Sequence, residues 1–380
     1  MKICIVHNDY GKFSGEEAVV RDHAALFLSK GCDVVEFRRS SDELHGLYGC
    51  IKGFVCGIWN PRSVWRFGRF LDAEKPDVVH IHNLYPLVNP AILPQAKKRG
   101  IPVVMTVHNF RLFCPSGLFS VDNAICEECA EKASVRPCLR KNCLHSHFKS
   151  LGYVLRHWKT VHYYQENVDR FLCLTDFQKR KLVQYGVPEE KCRILPNFID
   201  AEWLAKARTT PAGNGGYVAY MGRLSEEKGI DIILEAARQL PQIPFRLAGN
   251  GAEAFREQAP KNVEFVGYMT GEAQFEFLRN ARVQVVASRC YENFPTSLLQ
   301  GMALGIPAVV PAGGPMPDII GCAGQAFAAG MLPEVLAQLF GNEKLIRQFR
   351  SSALVRIEEF TAEKYWEKYA RLLQDATLFP

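Results

Sequence analysis

Short apolar runs separated by amphipathic stretches recur along the whole chain, and the pattern starts afresh once. Ile3 to Val6 reads as a buried strand, followed by a loop with Gly11 and Gly15. Ser14 and Glu17 then stand at capping-box spacing, and Val20, Ala24, Phe27 and Leu28 share one helix face up to a stop at Gly31. Further strands are predicted at Val34 to Phe37, Val78 to Ile81, Val103 to Val107 and Phe171 to Leu174. The proline-bearing stretch from Arg193 to Asn197 interrupts the pattern. It resumes with strands at Tyr217 to Met221, Phe245 to Ala248, Val263 to Val266, Val283 to Val286 and Ala308 to Val310. Unbroken apolar runs of this length suit strands buried on both faces, so the reading is an α/β chain with two successive doubly wound parallel sheets. Ligands in such sheets bind beyond the carboxyl ends of the strands, and the expected place is a cleft between the halves. The expected domains are 1–196, carrying a cysteine-rich insertion at about 114–147, then 197–360, then a closing helix in 361–380. That helix places Tyr365, Tyr369, Leu372 and Leu373 at helical spacing.

The 380 residues are 48% hydrophobic and 23% charged, which excludes disordered, collagen-like and coiled-coil chains. No window supplies the ~20 apolar residues of a membrane span. The opening apolar run is too short for a secretion signal, so a cytoplasmic location is expected. Charge is uneven. Residues 1–195 carry 28 Lys+Arg against 20 Asp+Glu, and residues 196–380 carry 18 against 20, giving +8 and −2. The basic first half points to an anionic partner such as lipid headgroups or a pyrophosphate-linked acceptor, or else is simply a solvated surface.

Two runs in the second half carry the chemistry. From Met221 to Asp231 the order is Met-Gly-Arg-Leu-Ser-Glu-Glu-Lys-Gly-Ile-Asp, placed after a predicted strand and opening a predicted helix. Backbone amides and the positive end of a helix dipole are expected near Gly222, where Arg223 and Lys228 add the cations a diphosphate requires. The second run extends from Ser288 to Pro307. Glu292 sits in the loop past a strand, a helix is expected to start at Pro295 with Thr296 and Ser297 in its first turn, and Gln300 lies further along. That turn can face a phosphate while Glu292 accepts hydrogen bonds from sugar hydroxyls.

In this order and spacing the two runs resemble the donor-binding signatures of the retaining glycosyltransferases of family 4, which have the GT-B fold of two facing Rossmann-like domains with an interdomain cleft. Leu247 to Gly251, including Asn250, then Val266 to Tyr268 and Pro196-Asn197 extend the likeness over nearly the whole chain. The resemblance implies that Arg223 and Lys228 bind the diphosphate of a UDP- or GDP-linked sugar and that Glu292 contacts the sugar. Gly222, Asn250, Tyr268, Phe294, Pro295, Thr296 and Gln300 fall in donor-binding positions. Gln300 stands where the family usually has Glu on the ribose, and an amide there both accepts and donates. His108, in Thr106-Val-His-Asn109, resembles the family's cleft histidine beside the donor sugar. Gly15, in Gly15-Glu-Glu17, resembles its flexible glycine loop. The implied reaction is transfer with retention, a departing diphosphate being stabilised by pre-oriented cations. No Asp-x-Asp occurs, which argues against a divalent metal in catalysis and leaves no catalytic cofactor. His80 and His82 share a strand face and read as structural.

Between His108 and Tyr153 lie Cys114, Cys126, Cys129, Cys138 and Cys143. The Cys126-x2-Cys129 pair is a half-site for structural zinc, with Cys114 and Cys138 as the chosen partners and Cys143 as the substitute; unligated thiols are the other reading. The following stretch, His147 to Lys159, mixes aromatic and basic residues. It suits peripheral contact at the inner face of a membrane as well as an ordinary packed helix. The expected partners are the nucleotide-sugar and a glycan or lipid-linked acceptor of polysaccharide biosynthesis, with no nucleic acid. A sugar-nucleotide epimerase of the same fold, and a non-catalytic sugar-nucleotide or glycan binder, fit the same residues.

Overall fold

The structure, a computed structural model, describes residues 1–10, 15–210, 212–213 and 215–374. Gly11 and Ser14, and with Ser14 the expected capping box, lie outside the described residues. The chain divides into two compact units. One comprises Met1–Val121, Cys126–Asn197 and Tyr365–Pro380, and the other Asp122–Ile125 and Phe198–Lys364.

The first unit is built on β1 (Lys2–Asp9), β2 (Asp33–Ser40), β3 (Val78–Asn83), β4 (Val103–Val107), β5 (Arg170–Cys173) and β6 (Cys192–Ile194). They form one six-stranded sheet in the order β2-β1-β3-β4-β5-β6 with parallel pairing throughout. β3 and β4 are buried along their whole length, which is why their sequences are unbroken apolar runs apart from histidine, Asn83 and Thr106. Helices α1 (Gly15–Ser29), α2 (Gly46–Ile58), α3 (Pro61–Glu74) and α4 (His147–Asn167) belong to this unit. Ser146 caps α4 by accepting from the Lys149 amide.

The second unit repeats the plan with β7 (Tyr217–Met221), β8 (Phe245–Ala248), β9 (Val263–Gly267), β10 (Ala281–Val285), β11 (Ala308–Pro311) and β12 (Gly324–Phe327), in the order β9-β8-β7-β10-β11-β12. That order reverses direction at β7/β10, the switch point beside which loops diverge and ligands enter. Val218, Phe245, Leu247, Val283 and Val309 of the sheet pack with Ile233, Leu234 and Ala237 of α5 (Ile230–Gln239). α6 (Gly271–Arg279) and α7 (Thr296–Ala303) follow. The last helix, α8 (Ala362–Leu373), carries Tyr365 and Tyr369 back into the first unit, where Tyr369 stacks on Phe27 at 4.9 Å and bonds to His80.

All the expected strands are present. β6 and β12 were not expected: Cys192–Ile194 is only three residues long, and Gly324–Phe327 carries a glycine and a glutamine, so neither stands out as an apolar run.

Candidate functional site

In the second unit the loops after β7 and β8 are joined edge to edge. The Gly222 amide donates to the Ala248 carbonyl at 3.0 Å, and the Leu224 amide to the Asn250 carbonyl at 2.8 Å. Gly249 must be glycine here: its φ is +147°, and a Cβ would stand 1.8 Å from the Gly222 carbonyl oxygen. The expectation that free amides and a helix start converge at Gly222 is therefore corrected. The Gly222 amide is already used, and α5 begins only at Ile230, after a single 3₁₀ turn over Glu226–Lys228.

That turn places Lys228 beside the loop after β10. The Arg289 amide donates to the Glu227 carbonyl at 2.9 Å, and the Lys228 ammonium pairs with the Glu292 carboxylate. Ser288 Oγ donates to Glu292 Oε1 at 2.6 Å, so the carboxylate is held from two sides and is only 18% exposed. A charge-assisted pair this shielded is worth more than a surface pair. Arg223 lies apart from it, 65% exposed and paired with Glu227 at 2.8 Å.

The other expected donor residues are distributed as follows. Pro295 is not the first helical residue: its ψ of 119° is extended, α7 starts at Thr296, and the Pro295 carbonyl accepts from the Leu298 amide at 3.1 Å. Phe294 is buried against Phe360 with ring centroids 5.4 Å apart. Gln300 Oε1 accepts from Gln274 Nε2 of α6 at 2.8 Å. Asn250 and Tyr268 are exposed. Gly15 opens α1 and is exposed.

In the first unit His108 follows β4, and its Nε2 lies 2.7 Å from His82 Nδ1 with the two rings stacked. His82 stacks in turn on His80 at 4.5 Å. His80 engages Thr106 Oγ1 at 2.8 Å through Nε2 and Tyr369 Oη at 3.1 Å through Nδ1. Burial pushes His80 and His108 down to about 3 and holds His23 and His82 well below the usual imidazole range, so the column is neutral at physiological pH. Three residues whose part was missed in the sequence lie nearby. Glu16 accepts from Tyr10 Oη at 3.0 Å, and burial raises its carboxyl to about 7. Arg111 and Arg156 border the same pocket as His82 and His108. Arg111 had a local signal, three residues past His108, whereas nothing in the α4 pattern singled out Arg156.

The cysteines lie near one another but are not drawn to the ligand spacing that the zinc reading expects. Among the described residues, the groups of three or more possible ligands whose atoms lie within 4.8 Å of one another are His23/His80/His82 and His7/Asp9/Glu17, and no cysteine joins either. Each thiol is otherwise engaged: Cys114 Sγ lies 3.2 Å from Ser116 Oγ, Cys126 Sγ accepts from Lys141 Nζ at 3.4 Å, and Cys129 and Cys138 pack with Val135 and Val154. Burial pushes the Cys129 thiol up to about 12, and Cys138 is raised by a hydrogen bond with Cys143.

The two parallel six-stranded sheets, each with its helices, define the GT-B class of fold. The model of glycosyltransferase family 4 matches residues 13–203, and that of the glycosyl transferases group 1 matches 202–351. The chain belongs to glycosyltransferase family 4, a family of retaining enzymes that work without a metal. It is similar to an alpha-galactosylglucosyldiacylglycerol synthase of Streptococcus pneumoniae, 30% identical over 34% of this chain and 40% of the relative. It is also similar to a putative colanic acid biosynthesis glycosyltransferase of Escherichia coli, 27% identical over 44% and 45%. The chain thus spans under half the length of these relatives. Among solved structures, a sucrose-phosphate synthase from Thermosynechococcus elongatus superposes with a TM-score of 0.70, 17% identity and coverage of 99% and 98%. Anabaena HepE, solved with UDP-glucose, gives 0.63, 15%, and 98% and 99%. At these identities the likeness is one of fold.

Proposed function

We propose that the protein moves a sugar from a UDP-linked donor, with retention, to a glycan or lipid-linked acceptor of polysaccharide or glycolipid synthesis. The observation that carries this is the Lys228–Glu292 pair, held by Ser288 on the loops that flank the switch point of the second sheet. Before donor binds, the ammonium is satisfied by the carboxylate. A diphosphate brings more charge and more acceptor oxygens, so it displaces Glu292 from Lys228. The released carboxylate is then free to accept hydrogen bonds from the sugar hydroxyls. Arg223, on an exposed and flexible side chain, swings from Glu227 to the same diphosphate. The cations thus stand ready for the charge that develops on the leaving group. We assign Glu292 and His108 to the reacting sugar; neutral His108 is suited to hydrogen bonding rather than to charge pairing. Asn250, Tyr268, Thr296 and Gln300 supply further donor contacts, Gln300 after exchanging its Gln274 partner for ribose hydroxyls. The choice of UDP is supported by the relative solved with UDP-glucose.

The acceptor side is assigned to the first unit, and with it a peripheral membrane contact. No helix of the described residues is long and apolar enough to cross a membrane. Yet Tyr48, Ile51, Val55 and Trp59 at α2 and Phe148, Leu151 and Trp158 on α4 are exposed, and Phe54 stacks on Phe148 at 5.6 Å. Exposed Lys149 and Lys159 accompany them. Aromatic side chains with adjacent lysines suit an anionic bilayer surface.

Thermal denaturation with a panel of nucleoside diphosphates tests the reading. A ligand at 100 times its dissociation constant adds ~2.7 kcal/mol. UDP is expected to raise the melting point and Lys228→Ala to remove most of the rise; no response to any nucleotide would overturn the assignment.

A further inference from the structure

The first unit holds an open-mouthed pocket of about 50 Å³ where the chain leaves β3 and β4 and meets α4. Tyr85, His108, Asn109, Arg111, Arg156 and Tyr164 border it. Arg156 is the anomaly. Only 8% of it is exposed, and its Nη1 has no hydrogen-bond partner. Its guanidinium lies 3.9 Å from the centre of the Tyr85 ring and 4.5 Å from that of Tyr153, so the groups around it are ring faces rather than a carboxylate. Stacking on tyrosine tolerates a guanidinium but does not supply the oxygens its N–H groups need. Burial disfavours the Arg156 charge, and Arg111 stands close enough to disfavour it further. Glu16, which accepts from Tyr10 Oη, acts electrostatically on Arg111 but does not border the pocket. Among the described residues that border the pocket the two guanidiniums share, none is a carboxylate. Burying a cation without an oxygen partner is costly, and a ligand that brings the anion offsets that cost.

We infer that this pocket binds an anionic oxygen group of the acceptor, a phosphate monoester or a carboxylate, gripped by Arg156 with Arg111 as second ligand. The inference rests on the transferase reading, because it names the chemistry of that reading's acceptor. A planar guanidinium takes two oxygens of either group in parallel, and Tyr85 and Tyr153 hold its plane fixed. Neutral sugars offer no such partner.

The test is calorimetric titration of the full chain with glycerol 3-phosphate, glucuronate and methyl glucoside, which stand for a lipid headgroup, an acidic sugar and a neutral sugar. At least one anion is expected to bind about tenfold or more tighter than methyl glucoside, and the tighter of the two identifies the source. Arg156→Gln and Arg111→Gln should each weaken that anion, the first by about tenfold, while UDP affinity stays within about twofold. Arg156→Lys, which keeps the charge but loses the fork, should retain part of the binding. It and Arg111→Gln carry the test if Arg156→Gln does not fold. Lys228→Ala should leave the anion affinity unchanged. The inference is overturned if both anions bind no better than methyl glucoside, if the arginine variants bind like the parent, or if Lys228→Ala abolishes the anion site. Failure of UDP to bind the parent would instead remove the transferase reading and leave the anion comparison standing.

Discussion

Gly229 joins Lys228 to α5 with φ +69°, and a Cβ there would stand 2.0 Å from the Ala287 carbonyl oxygen and 2.8 Å from its carbon. Gly229→Ala therefore incurs two costs. A left-handed conformation costs a residue with a Cβ about 1–2 kcal/mol. The clash is backbone against side chain with no flexible end to move, so the two loops must separate, at about 1–3 kcal/mol by analogy with overpacking. Gly271, at the start of α6, supplies the control: its φ is +58°, but nothing lies within 4 Å of its Cβ position. Gly271→Ala should thus incur the conformational cost alone. For a unit of this size, ~1 kcal/mol corresponds to about 2–4 °C in melting temperature. The expected losses are about 4–20 °C for Gly229→Ala and about 2–8 °C for Gly271→Ala. Because Ala287 leads directly into Ser288 and Glu292, the first variant should also weaken UDP about tenfold, and the second should not. Scanning calorimetry and UDP titration of both proteins give the answer. Equal melting shifts, or unaltered UDP affinity in Gly229→Ala, would refute the claim that the two loops touch at this glycine.

Three further outcomes are expected. Burial lowers His80 and His108 to about 3 and His7 and His157 to about 4, below the unfolded value of about 6.5. The unfolded chain therefore binds more protons between those limits, and stability falls as pH drops below 6.5, by up to ~1.4 kcal/mol per pH unit for each histidine. Glu16, raised to about 7, has the opposite sign in part of that window and is outweighed; urea midpoints that stay constant from pH 7 to pH 5 would contradict the account. His82→Phe keeps the stacked ring but removes the 2.7 Å contact that orients His108, so kcat should fall about tenfold or more with the UDP Kd unchanged, measured by UDP release against acceptor. Phe148→Asp with Trp158→Asp places two charges on side chains 72% and 73% exposed, which should abolish co-sedimentation with anionic vesicles and leave the melting temperature within a few degrees; retained sedimentation would remove the membrane contact.

The sheets were legible because parallel strands buried on both faces leave no choice but apolar residues, and every strand of that kind was placed. Two of the four edge strands escaped, since Cys192–Ile194 is short and Gly324–Phe327 is mixed. That Lys228 and Glu292 stand on loops after strands was legible from their setting. How they pair was not: that Glu292 neutralises Lys228, or that Gln300 is occupied by Gln274, depends on loops brought together across the sheet. The first helical residue after Glu292 was misplaced by one because proline suits both the N-cap and the first turn, and only ψ separates them. The cysteines show the opposite limit. Spacing suggested four sulfurs at ligand distance; the thiols do gather around Cys129, but among the described residues none joins a group of possible ligands within 4.8 Å of one another. Arg156 could not be recognised at all, because what distinguishes it is the absence of a hydrogen-bond partner for a buried Nη1.

The central claim is an exchange of partners, with donor diphosphate taking Lys228 from Glu292. It is tested most directly by the UDP dissociation constant of Glu292→Gln beside that of Lys228→Ala. Removing the competing carboxylate should tighten UDP by about threefold to tenfold even though sugar transfer is lost, while removing the ammonium should weaken it by about tenfold or more. Weakening in both variants, or no change in either, would mean that the pair is a fixed structural bridge and that the diphosphate is held elsewhere.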